Sequence, residues 1–118
     1  MKTYTVNDVL RVAKRFNNAR RNYLLVNPLQ GKHLPTRPTD ALDMMNALGK
    51  KVAEKFSSAR LVVGFAETAT AVGALVAKNL SDNCFYIQTT RENFDGAFVE
   101  FFRRKFLGGR FAPRTGAR

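Results

Sequence analysis

The chain has 118 residues, 45% of them hydrophobic, which is enough for one domain with a core of ordinary size and too apolar for a disordered protein. Its formal net charge is +11, yet residues 101–118 hold six basic and no acidic groups, so over half of the excess belongs to the tail. One cysteine excludes an intrachain disulfide framework, one histidine beside it excludes a structural zinc cluster, and no apolar run is long enough for a membrane span or a secretory signal; a cytoplasmic protein with no membrane partner is expected.

In chain order, Val6, Val9, Leu10, Ala13 and Phe16 are spaced for one helical face and predict a helix over residues 5–21, with Lys14, Arg15, Arg20 and Arg21 at its negative end. Tyr23 to Val26 is a short apolar strand. Pro28, Gly31, Pro35 and Pro38 crowd residues 27–38, a density that excludes regular helix and marks a loop. In that loop Lys32 is either a solvated residue or a phosphate clamp, and His33 has no evident partner. A second helix, capped by Thr39 and ending near Phe56, is expected to bury Leu42, Met45, Leu48, Val52 and Phe56. Leu61 to Phe65 reads as a central strand, residues 70–80 as a third helix, and Cys84 to Thr89 as a further strand in which Cys84 is a buried small hydrophobe. Helix, strand, helix, strand, helix, strand predicts an α/β fold: a small, three-layer, mostly parallel sheet.

The passage from strand to third helix, Gly64-Phe65-Ala66-Glu67-Thr68-Ala69-Thr70-Ala71-Val72-Gly73, is the most informative stretch. A helix start leaves backbone N–H groups without partners and carries partial positive charge, so a strand aimed at it creates an anion site. Small residues admit a ligand to the backbone, and the hydroxyls of Thr68 and Thr70 can cap the helix or bind phosphate oxygens. Glu67 repels bare phosphate unless it faces a metal, a sugar hydroxyl or a cation. An ordinary tightly packed turn is the competing reading.

Taken with Tyr23-Leu24-Leu25-Val26-Asn27-Pro28-Leu29-Gln30-Gly31-Lys32-His33-Leu34-Pro35 and Phe85-Tyr86-Ile87-Gln88-Thr89-Thr90-Arg91-Glu92, this stretch resembles the first half of a type I phosphoribosyltransferase. The likeness is to the orotate phosphoribosyltransferase-like branch found with tellurium-resistance and stress gene clusters, and it covers roughly residues 20–95. The resemblance implies that Glu67, Thr68, Ala69 and Thr70 line the pyrophosphate of phosphoribosyl pyrophosphate, that Lys32 supplies charge nearby, and that Arg91 pairs with phosphate. It also implies magnesium, bridging pyrophosphate and ribose, with a use for Glu67.

The chain departs from that family in one large respect. The strand ending in paired acidic residues and Thr-Thr-Gly, which grips the ribose 5-phosphate, has no counterpart: Asp95 is followed by Gly96-Ala97. The expectation is therefore a partial domain over residues 1–95 and a basic, Phe- and Arg-rich tail over 96–118, disordered or loosely attached, in a truncated or frame-shifted protein inactive by itself. A sheet so small leaves edges for a homodimer or a missing C-terminal half to cover. The competing function is a small basic module whose tail, with Arg103, Arg104 and Lys105 among Phe101, Phe102 and Phe106, binds nucleic acid or another acidic partner.

Overall fold

A computed structural model describes residues 2–91 and the short strands at 103–104 and 110–111. The chain divides into two compact units, Met1–Leu48 and Gly49–Arg118, and it is an α/β protein.

In the first unit, α1 (Val6–Val9) is a single turn. The Thr5 backbone N–H and hydroxyl both donate to Asp8 Oδ2 at 2.7 Å, which holds the Asp8 carboxyl below its ordinary pKa. The expected helix over residues 5–21 stops there. The chain turns extended at Leu10, and β1 (Arg11–Lys14) pairs antiparallel with β2 (Tyr23–Val26), Val12 opposite Leu25 and Lys14 opposite Tyr23. Two consecutive asparagines decide the outcome. Asn17 takes a left-handed φ of 50°, and Asn18 Oδ1 accepts from the Arg21 N–H at 3.0 Å, so the turn closes with side-chain help that a helix interior would waste. β-branched Val12 and the nearby apolar strand then favour the ladder.

The loop after β2 is organised by Asn27, whose Oδ1 accepts from the Leu29 N–H at 2.9 Å, and by Gly31, whose φ of 73° suits glycine. α2 (Pro38–Lys55) starts one residue before Thr39, with proline in the first turn, where its missing N–H costs nothing. Arg37 forks onto the Asp40 carboxylate at 2.9 and 3.3 Å. The buried side of α2 matches the expected stripe only in part: Met45 is buried and Val52 half-buried, Met44, Ala47 and Gly49 are buried as well, and Leu42, Leu48 and Phe56 are exposed. In the second unit a Cβ on Gly49 would meet the Asn79 side chain at 2.8 Å, so the two segments approach closely there.

The second unit is built around β3 (Leu61–Gly64), α3 (Thr70–Leu80) and β4 (Phe85–Gln88). β3 and β4 pair in parallel through a crossover containing α3, with Leu61 opposite Phe85 and Gly64 opposite Gln88. The strand face bearing Gly64 and Tyr86 receives α3, and Tyr86 donates its hydroxyl to the Thr70 carbonyl at 2.6 Å. The packing is intimate: a Cβ on Gly73 would sit 3.1 Å from Gly64 Cα. The opposite face presents Leu61, Phe85 and Ile87 to solvent. Cys84 is half-buried rather than buried. In the tail, β5 (Arg103–Arg104) pairs antiparallel with β6 (Arg110–Phe111); the remainder of the expected disordered segment over 96–118 lies outside the described residues. Among the described residues no helix is long and apolar enough to cross a membrane.

Candidate functional site

The loop joining β3 to α3 is short and held from both ends. Its own turns place the Ala69 N–H on the Phe65 carbonyl at 3.0 Å and the Thr70 N–H on the Glu67 carbonyl at 3.3 Å, and the Ala66–Glu67 peptide is cis. The end of β4 fixes it laterally. The Thr89 N–H donates to the Gly64 carbonyl at 3.0 Å, and the Thr89 hydroxyl accepts from the Ala66 N–H at 2.8 Å. Arg91 Nη2 completes the hold by donating to the Ala66 carbonyl at 3.4 Å. Both polar groups of the Ala66 backbone are thus engaged by residues just beyond β4. Thr89, 4% exposed, is the buried polar side chain of this arrangement, and buried hydroxyls persist where hydrogen-bonded.

The helix start behaves partly as expected. The Gly73 N–H reaches the Ala69 carbonyl at 2.8 Å, whereas those of Ala71 and Val72 have no backbone acceptor among the described residues. Capping by Thr68 or Thr70 is corrected: Ala69 is the N-cap residue, and no side chain caps the helix. Among the described residues no side-chain oxygen caps the positive end of α3 beside the loop.

Of the site residues inferred from sequence, Glu67, Thr68, Ala69, Thr70 and Arg91 fall in the second unit, at the α3 start and the β4 end, while Lys32 falls in the loop of the first unit. Glu67 and Thr68 are exposed, and Ala69 and Thr70 half-buried. The Glu67 carboxylate makes no hydrogen bond or ion pair among the described residues, nor do those residues hold any group of three metal-ligating side chains. The Glu67 carboxylate is the group at this loop that would hold a magnesium ion together with ligand oxygens.

Two features escaped sequence reasoning: the Thr89 hydroxyl as the anchor of Ala66, and Tyr86 as the residue filling the space between two glycines. The signal for the first was a polar Thr89-Thr90 pair closing an otherwise apolar strand. Tyr86 carries a pKa raised by burial.

No curated protein and no solved structure matches the chain. A family model described as phosphoribosyl transferase matches residues 9–105, a span that takes in the β1–β2 and β3–β4 sheets, the pinned loop and the start of α3. On that match, over most of its length, the chain belongs to the phosphoribosyl transferase family.

Proposed function

We propose that the chain binds phosphoribosyl pyrophosphate through the β3–α3 loop, as a member of the orotate phosphoribosyltransferase-like branch associated with tellurium-resistance and stress gene clusters, and that it works in the cytoplasm. The observation that supports this most is the Ala66 backbone, engaged on both polar groups by Thr89 and Arg91 beside a helix start whose Ala71 and Val72 N–H groups have no backbone acceptor among the described residues. A loop held before the ligand arrives loses little freedom on binding, and the helix dipole favours an anion there.

In this reading Glu67, Thr68, Ala69 and Thr70 line the pyrophosphate, and Arg91 adds positive charge beside the loop. Glu67 would hold magnesium, which neutralises pyrophosphate oxygens when bound. In the complete reaction a nitrogen of the acceptor base forms a bond to the ribose anomeric carbon as the bond from that carbon to pyrophosphate oxygen breaks, and pyrophosphate leaves with the electron pair. The contribution of this chain is to hold the leaving group in place and stabilise its charge. The acidic Thr-Thr-Gly segment that would grip the 5-phosphate is not in this sequence, so binding rather than turnover is the property to measure.

Isothermal titration with phosphoribosyl pyrophosphate and magnesium is the test. Saturable, magnesium-dependent heat that disappears in a Thr68→Trp, Thr70→Trp double variant supports the reading. Equal heat from the double variant, or none from the parent chain while its fold is intact by circular dichroism, overturns it.

A further inference from the structure

The hairpin of the first unit has a composition that the transferase reading does not use. Residues 11–25 carry Arg11, Lys14, Arg15, Arg20 and Arg21 and no acidic residue. None of these cations pairs with a carboxylate among the described residues, where the ion pair present is Arg37–Asp40. Arg11 donates to the backbone carbonyls of Asn7 and Leu10, and its charge acts on the nearby Asp8 carboxylate.

Strand alternation sorts the hairpin into two faces. Ala13, Leu24 and Val26 are on the side that is buried or half-buried. The other side presents Val12 opposite Leu25 and Lys14 opposite Tyr23, all exposed, with Tyr23 at 52%. Phe16 follows at the turn and is 90% exposed, with Arg20 and Arg21 in the same turn, also exposed. A fully exposed phenylalanine costs solubility, and a lone one needs no explanation. Two exposed rings with Lys14, Arg20 and Arg21, none of them in an ion pair among the described residues, form a pattern.

We propose that this outward face of the β1–β2 hairpin binds single-stranded nucleic acid, with Tyr23 and Phe16 as stacking platforms and Arg20, Arg21 and Lys14 neutralising the backbone. Charge complementarity selects a polyanion, and the exposed rings select one with unpaired bases over a duplex or an acidic protein. The recognition is sequence-tolerant, because every base offers a π-face.

The test uses the full chain and fluorescein-labelled oligouridine and oligothymidine of fifteen nucleotides, with a duplex of equal length and heparin as comparators, over a salt series. Phe16→Ala and Tyr23→Ala are each expected to weaken single-strand binding by about fivefold or more while leaving the salt slope unchanged. Arg20→Ser with Arg21→Ser is expected to shrink that slope by about 1.4, since each phosphate neutralised on a single strand contributes about 0.7 and two cations are removed. Phosphoribosyl pyrophosphate binding should be unaltered in all of them, which separates failure here from failure of the transferase reading. Undiminished binding in the ring variants, duplex or heparin bound as tightly as the single strand, loss only on deleting residues 101–118, or no binding at low salt each overturns the proposal.

Discussion

Replacing Thr89 by valine tests the site at its anchor. The two side chains have nearly the same shape, so the substitution removes one oxygen and little else, and that oxygen accepts from the Ala66 N–H at 2.8 Å. An amide left without its acceptor costs about 1–3 kcal/mol; Ala66 is half-buried and partly reached by water, which places the expected loss near 1–2 kcal/mol. At roughly 4 °C per kcal/mol for a domain of this size, Tm should fall about 4–8 °C. Thermal unfolding followed by circular dichroism measures it, and Thr89→Ser, which keeps the oxygen, should recover most of the loss. The same variants carry a functional readout, since a loop freed at Ala66 must be ordered again on binding. An affinity for phosphoribosyl pyrophosphate about tenfold weaker in the valine variant, restored by serine, corresponds to about 1.4 kcal/mol of lost preorganisation. If Thr89→Val melts with the parent and binds as tightly, the lateral hold on the loop has no energetic weight and the reasoning fails.

Other outcomes follow from the same packing. Gly64→Ala should lose about 1–3 kcal/mol in urea unfolding, because its Cβ would stand 2.8 Å from the Ala69 carbonyl, which is backbone and moves only with the loop. Gly73→Ala should lose less, since the crowding against Tyr86 at 2.9 Å is offset by about 1 kcal/mol of helix propensity. Tyr86→Phe should cost about 1 kcal/mol at neutral pH through the lost bond to the Thr70 carbonyl. Its pH dependence has a definite sign. Burial raises the Tyr86 pKa above 10.0, so its contribution is full below that value and is lost as pH rises through the folded-state pKa; stability measured from pH 8 upward should decline less steeply in the phenylalanine variant. Finally, Glu67→Gln should weaken phosphoribosyl pyrophosphate binding in magnesium and leave magnesium-free binding equal or tighter, and an equal effect in both would remove Glu67 from any metal role.

The amino-acid sequence by itself determined the second unit in outline. An apolar run ending in Gly64, a string of small residues through Gly73, a helical repeat to Leu80 and a second apolar run are local signals, each readable within a dozen residues, and together they specify a strand, a turn, a helix and a parallel partner strand. Where interactions between distant residues decide, that reading stopped. Val6 to Phe16 satisfies a helical spacing, yet Asn17 and Asn18 turn the chain and the Tyr23–Val26 strand offers a ladder in place of the helix. The α2 stripe was legible as apolar, but which of its apolar residues are buried was not: Met44 and Ala47 are buried, and Leu42 and Leu48 are exposed. At the site, the small-residue loop was visible from its composition, whereas its fixation was not: Thr89 reaches Ala66 across twenty-three residues of chain, because parallel pairing sets the end of β4 beside the end of β3. Hydrophobic period and turn chemistry are properties of neighbours in sequence, while hydrogen-bond partners and close packing are properties of neighbours in space, and only the folded chain supplies the second.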